Sequence, residues 1–489
     1  MEQKAKINWQ YIHLGIGLLI VALFWFVLPT PDPMTPVGMR IVGAFLMMVY
    51  LWSTVGSLWP SLLGLVLVAC SGIDASGFNS VWLNSIGNST VLLVLFAMIL
   101  FGAVDEVGDT LYITRWILTR KVATGRPYVF LALFFFCCFV LAALISPICA
   151  LIIIWPIAQN LMETLGIERK ERLWKWFFVG MAVVMALAQP LLPFMPPQLL
   201  PIAAYGGMTG GSIPMIPYML VDIIMTFLVM TVYLIAMKVL KVDLTKLKSV
   251  SPEVFEETLS LPPMDGRQKA FLIMIPVYLL CLLAPMFLPS CPVRDILNYL
   301  GTLGITVVFV LFFLVAQYQG KPMLDFRTCS FKHFDFGIFF MLAAAVYTAT
   351  KMATTDTGVS AWLVKALAPI LGGQTELGFV AIMFAVALVI TNFANNGPMA
   401  IVLMPVVVEF SSQLGINPLP VAMGVILMVF VSMLTPAASP NAGMMWGRKD
   451  IYSPRDILSI GFPVCLTTLV LYIFVGYPLA KALCAMFGV

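Results

Sequence analysis

The sequence predicts an all-α polytopic membrane protein, and its composition and the form of its apolar runs carry that prediction. Of the 489 residues, 61% are hydrophobic and only 10% are charged, whereas about a quarter of a soluble domain is charged. The apolar runs are long enough for membrane-spanning helices and lack strand-like alternation. The net charge of +4 is small, and the basic residues lie mostly in the loops between the apolar runs. The charge therefore does not favour a nucleic-acid partner.

The apolar runs provide ten or more crossings at about 20 residues each. The first run follows Lys4 and Lys6, and no small-residue cleavage site follows Pro29. We therefore interpret it as a span rather than as a removed signal. The runs are residues 11–28, 37–54, 58–70, 81–104, 127–161, 176–205, 214–240, 268–288, 296–318, 335–350, 378–410, 419–446 and 457–487.

Two long runs are interrupted near their middle, which predicts re-entrant hairpins of two half-membrane helices. The run 127–161 is broken at Ser146-Pro147, and the run 378–410 is broken at Asn395-Asn396-Gly397-Pro398. Each is followed by a run with a proline-rich break, at residues 189–201 and 435–441. We expect each half of the chain to contain a hairpin followed by an unwound span.

The breaks recur at a nearly constant offset, which predicts an internal repeat. An offset of 249 places Ser146 on Asn395, and an offset of 250 places Gly108 on Gly358. An offset of 243 aligns the two proline-rich breaks. We divide the chain into a first repeat with scaffold helices, a polar cytoplasmic linker and a second repeat, at residues 1–240, 241–267 and 268–489.

Lysine and arginine in the loops predict the orientation, because short cytoplasmic loops are enriched in both. With a cytoplasmic N-terminus and two re-entrant hairpins, 22 of these residues face the cytoplasm and five face outside. If either hairpin were a true membrane span, the lysine and arginine residues would no longer be concentrated on one side of the membrane. The first hairpin then lies on the cytoplasmic side of the cell (inner) membrane and the second on its outer side, so the repeats are predicted to be inverted.

Inverted repeats with broken helices are typical of secondary transporters, whose sites lie near the bilayer midplane. Half-helix N-termini favour anions, and exposed carbonyl oxygens favour small cations. We therefore expect a carrier of a small organic anion, with sodium as coupling ion and no other cofactor.

A membrane-embedded enzyme would need an intramembrane His, Asp or Cys constellation, and the sequence has no such spacing. Saturable counterflow would separate a carrier from a channel.

The amides of the second break are the strongest site candidates, because several amides at membrane depth are costly unless they bind something. Asn-Gly-Pro could instead simply turn the loop, and the first tip could be a proline kink. The predicted substrate-binding residues are Ser146, Pro147, Ile148, Asn395, Asn396 and Gly397. The predicted sodium ligands, through side-chain or carbonyl oxygens, are Thr391, Asn395, Asn396, Ala437, Asn441, Ser146, Phe194 and Gln198.

Two polar stretches, residues 105–121 and 356–367, are predicted to be amphipathic helices in the membrane interface. They would frame the hairpins. Asp105 and Glu106 in the first stretch are most simply solvated charges, but they could relay protons. Proton-coupled or exchange-type anion transport by the same fold is therefore the alternative.

These motifs resemble the divalent anion:sodium symporter family of the ion transporter superfamily, over nearly the whole chain. That family carries Ser-Asn-Thr at each hairpin tip, a proline ten residues after the serine, and a Thr-Pro-Pro-Asn-like loop in each broken span. The matching residues here are Ser146, Pro156, Asn395, Asn396, Pro405, Pro196, Pro197, Gln198, Pro440 and Asn441. The resemblance implies eleven spans with two hairpins, a homodimer joined through scaffold domains, and elevator-like movement of the transport domain.

Departures from the family motifs imply a changed cavity. The Asn-Thr of the first tip is Pro147-Ile148 here, and the threonine of each broken-span loop is Met195 or Ala438. The resemblance implies that both tips hold a dicarboxylate, so half of this cavity has lost donors. A hydroxyl one turn before the tip, which helps the family to bind sodium, is kept as Thr391 and lost as Ala142. We expect a substrate with one charged end and a dominant second-half sodium site.

Overall fold

The computed structural model describes residues 9–145, 147–250, 255, 261–393, 396–436, 438–448 and 453–489. Within these ranges the protein is almost entirely helical, apart from a short antiparallel pair, β1 (Gln317–Tyr318) with β2 (Lys321–Pro322). Nine of the described helices are long and apolar enough to cross a membrane, or up to eleven if each of two bent helix pairs is one span. The prediction of an all-α polytopic membrane protein is confirmed.

The first half of the chain forms eleven described α-helices. They are α1 (Trp9–Ala22, extended to Val27 by a π-helical turn), α2 (Pro36–Thr54), α3 (Leu58–Cys70), α4 (Phe78–Ile86), α5 (Ser89–Val107), α6 (Asp109–Leu118), α7 (Pro127–Leu144), α8 (Pro147–Thr164), α9 (Arg172–Ala188), α10 (Pro196–Thr209) and α11 (Met215–Val239).

The second half continues the same pattern. Its described helices are α12 (Gly266–Leu283), α13 (Pro292–Val315), α14 (Phe326–His333), α15 (Phe336–Met352), α16 (Val359–Leu371), α17 (Glu376–Thr391), α18 (Asn396–Gln413), α19 (Pro418–Met428), α20 (Pro440–Gly447), α21 (Pro454–Leu471) and α22 (Tyr477–Met486). A π-helical turn, Tyr472–Gly476, joins the last two helices.

Many helices begin where the sequence provides a cap. The Thr35 hydroxyl accepts a hydrogen bond from the Gly38 N–H at the start of α2, and Asp265 and Gln268 form a reciprocal capping box at the start of α12. Prolines often occupy the first turn, where the missing N–H costs nothing. Local residues therefore set these boundaries.

Both interrupted runs form pairs of helices. α7 ends at Leu144 and α8 begins at Pro147, while α17 ends at Thr391 and α18 begins at Asn396. The two arms of each pair also pack against each other. The helix boundaries therefore lie at the breaks that the sequence predicts, and the membrane side on which each hairpin opens stays a prediction.

The order of elements recurs between the two halves. α5, α6, the α7–α8 pair, α9 and α10 are followed in the second half by α15, α16, the α17–α18 pair, α19 and α20. Gly108 precedes α6 with φ +77°, and Gly358 precedes α16 with φ +63°. Both need the left-handed conformation that glycine adopts at no steric cost. The inverted relation between the halves stays a prediction.

The helices pack mostly within two groups. The first comprises α1–α5 and α12–α15, and the second comprises α7–α9, α11 and α17–α22. α10 lies between the groups, against α18 on one side and α15 on the other. Because α10 begins at the first proline-rich break, the predicted site lies where the two groups meet.

Candidate substrate and cation site

Three oxygen atoms converge at the second hairpin tip. The Thr391 Oγ1 lies 2.9 Å from the Asn396 Oδ1 and 2.5 Å from the carbonyl oxygen of Val429. A threonine hydroxyl has one hydrogen, so it cannot donate to both neighbours. Either the Asn396 amide turns its Nδ2 towards Thr391 or a cation lies among the oxygens, since hydroxyl, amide and carbonyl oxygens are hard-cation ligands.

The side chain of Asn392 joins the second hairpin tip to the second unwound loop by hydrogen bonds. Its Nδ2 donates to the carbonyl oxygens of Leu388 and Val431, at 2.7 and 3.2 Å. Its Oδ1 accepts from the N–H groups of Met433 and Leu434, at 3.0 and 2.8 Å. The side chain therefore satisfies backbone groups that the unwinding of the span leaves free.

Asn392 belongs to the site, but no individual role for it was predicted from the sequence. It is buried, and three of its four side-chain partners lie 39–42 positions away in the chain. The signal that could have found it is its place in the amide-rich run from Thr391 to Asn396. The predicted ligands Thr391, Asn395 and Asn396 lie at the two ends of that run and do not include Asn392.

The second unwound loop follows α19 and is closed by its own side chains. The Ser439 hydroxyl donates to the Ser432 carbonyl oxygen at 2.9 Å and caps α20 by accepting from the Ala442 N–H at 3.1 Å. The Trp446 indole donates to the Met433 carbonyl oxygen at 3.1 Å. Asn441 is buried, and its Oδ1 has no hydrogen-bond partner among the described residues. This oxygen is left free to accept from a ligand.

The first unwound loop is closed differently. The Gln198 Nε2 donates to the carbonyl oxygens of Gln189 and Leu192, at 3.0 and 2.7 Å. The Gln198 Oε1 is buried without a hydrogen-bond partner in the described chain. The amide NH₂ therefore occupies two carbonyl oxygens that could otherwise serve as ligands of a cation.

A cavity of about 810 Å³ opens beside this loop. Its wall includes Pro147 from the first hairpin, with Gln189, Met195 and Gln198 from the unwound loop. The bend between α14 and α15 also lines the cavity, through Lys332, His333 and Asp335. The cavity thus has an apolar hairpin side and another side that carries a carboxylate, Asp335, and a lysine that pairs with Glu106 at 3.3 Å.

A second cavity, of about 570 Å³, is lined by other residues of the same loop. Phe194 lines it, and this ring is stacked on Phe101 and edge-on to Tyr278. Phe194 is almost fully buried. Neighbouring residues of one loop, Phe194 and Met195, therefore face different cavities.

The first hairpin meets the second unwound loop directly, because α8 packs against α20. The Arg448 guanidinium lies 5.5 Å from the centre of the Trp155 ring. Arg448 follows the last residue of α20, and Trp155 lies in the middle of α8, so the end of α20 contacts the middle of the second arm of the hairpin.

The predicted site residues fall into two groups in space. Thr391 and Asn396 come together, while Pro147 and Gln198 line the 810 Å³ cavity. Gly397 is buried in the first turn of α18. Ser146, Asn395 and Ala437 lie outside the described residues, as does the side chain of Ile148.

Comparison with known proteins identifies the family. The description of a sodium:sulfate symporter transmembrane region matches residues 8–486, nearly the whole chain. The chain belongs to the sodium:sulfate symporter family. This is a transporter family rather than an enzyme family, and it is the one that the hairpin and loop motifs resemble.

Individual relatives of this symporter-family chain are distant. It is 30% identical over 112 residues, 23% of its length, to the uncharacterized transporter YfbS of Escherichia coli K12. It is 21% identical over 179 residues, 36% of its length, to the sodium-dependent dicarboxylate transporter SdcS of Staphylococcus saprophyticus. The matches span only 18% and 33% of those proteins.

A solved structure shares the fold of this family member. The YdaH transporter of Alcanivorax borkumensis superposes with a TM-score of 0.54 at 14% identity. The superposition covers 92% of this chain and 98% of that one. At this identity the likeness establishes the fold alone.

One titratable group lies in α6, which packs against the first hairpin and is outside the candidate spans. Asp109 begins α6, is buried, and its carboxyl oxygens have no hydrogen-bond partner among the described residues. Burial, and to a lesser extent the charge of Asp265, raises the pKa of Asp109 to about 7. The folded protein therefore holds this proton more tightly than the unfolded chain does.

We expect Asp109 to make stability depend on pH. Stability should be greatest in acid, fall as pH rises from about 4 to about 7, and level off above that. Asp109→Asn should flatten this slope, with an effect of no more than about 4 kcal/mol. The check is the apparent Tm of the purified protein between about pH 5 and about pH 8. An unchanged slope in Asp109→Asn would contradict the assignment.

Proposed function

We propose that this protein is a sodium-coupled symporter that imports a small organic anion, a carboxylate, held by one charged end. The observation that carries the proposal is the cluster formed by Thr391 Oγ1, Asn396 Oδ1 and the Val429 carbonyl oxygen. These are the ligand types that a hard cation prefers, at a point where a span unwinds. Family membership supports sodium as that cation.

The first half contributes less to cation binding in this proposal. The amide of Gln198 already bonds the carbonyl oxygens of Gln189 and Leu192. Ala142 offers no hydroxyl where the second half has Thr391. Coupling is therefore dominated by the second-half site.

The proposed substrate follows from the walls of the 810 Å³ cavity. Pro147 and Ala142 of the hairpin and Met195 of the unwound loop line it and provide no side-chain donors, whereas Lys332 lines it from the bend between α14 and α15. A second carboxylate facing the apolar side would be buried without a partner, which costs several kcal/mol. The carrier should therefore prefer a monoanion with a less polar remainder.

The movement proposed for the cycle is elevator-like, in a homodimer whose N-terminus is cytoplasmic. The two helix groups support it, because α10 and the first unwound loop lie where the groups meet. The group that contains both hairpins would move, and the other group would stay fixed and form the dimer.

An uptake screen in proteoliposomes tests the proposal. Labelled pyruvate, succinate and sulfate are offered with and without an inward sodium gradient, and protein-free liposomes serve as blanks. Sodium should drive accumulation of pyruvate, and succinate should be taken up about tenfold less well or worse, as a cost above ~1.4 kcal/mol implies. Succinate uptake that matches or exceeds that of the monoanion would contradict the substrate assignment. Uptake that follows a pH gradient and ignores sodium would contradict the coupling.

A further inference from the structure

A buried polar cluster lies within α11 and the π-helical turn of the last span. Asp222 is fully buried, and Tyr218 and Tyr472 are 0% and 1% exposed. Neither carboxyl oxygen of Asp222 and neither phenol hydroxyl has a hydrogen-bond partner among the described residues. Tyr218 lies one turn before Asp222 on the same side of α11, and the π-helical turn that carries Tyr472 packs against α11. This part of the structure therefore contains three buried polar groups that have no partner among the described residues.

Asp222 has no counter-charge in the described chain. α11 packs against α7, α9, α21, α22 and the turns at residues 189–191 and 472–476. Of their basic groups, Lys175 pairs with Asp456 at 2.7 Å and Lys481 pairs with Glu376. The other titratable groups on these elements are Cys137, Cys138, Tyr128, Arg172, Arg455, Cys465, Tyr472, Tyr477 and Cys484.

The absence of a counter-charge decides which form of Asp222 is stable. A buried carboxylate without a partner is costly by several kcal/mol, whereas the neutral acid is not. Glu106 shows the contrast, because its carboxylate accepts from Cys329 at 3.1 Å and pairs with Lys332 at 3.3 Å. The partners of Glu106 stabilise its anion. Asp222 has no such partners among the described residues, so its neutral acid is the stable form.

The cluster is connected to the first unwound loop. One turn after Asp222, the Thr226 hydroxyl donates to the carbonyl oxygen of Leu187 at 3.5 Å, at the end of α9. α11 also packs against the turn at residues 189–191, which begins that loop. The helix that carries Asp222 therefore contacts the loop where the proposed function places the weaker cation site.

The start of α11 lies at the 570 Å³ cavity, on the side of the helix that carries Asp222. Asp222 is seven residues after Met215, about 10 Å along the helix axis, and Tyr218 lies between them on the same side of the helix. Met215 lines the 570 Å³ cavity. The π-helical turn that carries Tyr472 is a form of helix often found at functional sites.

We propose that Asp222 is a proton-binding site that carries one proton in each transport cycle. In the loading step an O–H bond forms between the carboxylate and a proton from water in the 570 Å³ cavity. In the release step that bond breaks and the proton returns to water on the other side. This inference rests on the proposed function for sodium as the second coupling ion, which binds at Thr391.

Infrared spectroscopy of the purified protein tests proton binding without any substrate. Near neutral pH Asp109 is itself partly protonated, so the measurement is made on the Asp109→Asn protein. This protein should show a protonated-carboxyl band that shifts in D₂O and is lost when Asp222→Asn is added. The amide resembles the neutral acid in shape, so the added substitution should not prevent folding. An identical band after Asp222→Asn is added would overturn the proposal. Should Asp222→Asn not fold, Tyr218→Phe must shift the band, and an unshifted band would equally overturn it.

Accumulation under a pH gradient tests coupling. Proteoliposomes hold equal sodium on both sides, a clamped membrane potential and an interior about one pH unit more alkaline, and are offered the same three anions. One coupled proton gives up to about tenfold accumulation per pH unit. Wild type and Asp109→Asn should reach it with the anion that sodium drives, and Asp222→Asn should show no accumulation under the pH gradient.

The outcomes separate the two proposals. Sodium-driven uptake without any pH-driven accumulation in the wild type overturns the role of Asp222 and leaves the proposed function standing. The reverse result overturns sodium coupling and supports Asp222. If none of the anions accumulates under a sodium gradient, the proposed function fails and the infrared band alone decides whether Asp222 binds a proton.

Discussion

Asn392→Ala should abolish transport, because one side chain holds the second hairpin tip to the second unwound loop. The substitution removes its four side-chain hydrogen bonds and leaves the N–H groups of Met433 and Leu434 and two carbonyl oxygens unpaired. At about 1–3 kcal/mol for each unsatisfied buried group, partly relieved by water, the cost is roughly 3–5 kcal/mol. So large an effect is expected only for a network of this kind.

The neighbouring residue provides a matched control. Phe393 lies in the same turn, but its side chain is 72% exposed. Phe393→Ala should leave the apparent Tm of the purified protein and sodium-driven uptake near the wild-type values. Asn392→Asp keeps the oxygen that accepts from Met433 and Leu434 and loses the donor, so its Tm should lie between those of wild type and Asn392→Ala. A wild-type Tm in Asn392→Ala would show that the loop holds its shape without this side chain.

The sequence predicts the fold well because the signals for the fold are local. α8 begins at Pro147 and α18 begins at Asn396, so both helices begin at the breaks that the sequence predicts. Proline cannot continue a helix without losing a hydrogen bond, so these residues mark the interruption wherever the helices pack. Gly108 and Gly358 share their left-handed conformation for an equally local reason.

The partners of the site residues could not be predicted in the same way. Asn392 bonds Val431, Met433 and Leu434, and nothing near Asn392 in the chain specifies that pairing. Gln198 was expected to offer its oxygen to a cation, but which amide atom faces the loop depends on where the freed carbonyls point. Such geometry is set by tertiary packing.

Asp222 differs, because a signal for it was present in the sequence. It is the one acidic residue within the long apolar helix α11, and an ionisable residue inside a span is a functional candidate by default. The predicted site depended on prolines and amides at breaks, and an acid in an unbroken run has neither signal. Only burial and the absence of partners distinguish it from an acid that faces a water-filled cavity.

Thr391→Ala should raise the sodium concentration needed for half-maximal uptake by about tenfold, or ~1.4 kcal/mol. The substitution removes the hydroxyl oxygen from the cluster with Asn396 Oδ1 and the Val429 carbonyl oxygen. Thr391→Ser keeps that oxygen and should retain near wild-type sodium dependence. Thr391→Val keeps the shape without the oxygen and should behave like alanine. Asn396→Ala should also raise the requirement, and Ser146→Ala should raise it less.

Another role for the Thr391 hydroxyl predicts a different pattern. If it only bonds the Val429 carbonyl oxygen and the Asn396 amide turns its Nδ2 towards it, the three oxygens do not form a cation site. Thr391→Val would then lower stability by the loss of one hydrogen bond, about 1 kcal/mol, and leave the sodium dependence of uptake unchanged. Measuring the apparent Tm and the half-maximal sodium concentration on the same preparations separates the two roles. A lower Tm with wild-type sodium dependence in both Thr391→Ala and Thr391→Val would remove the cluster as the coupling site.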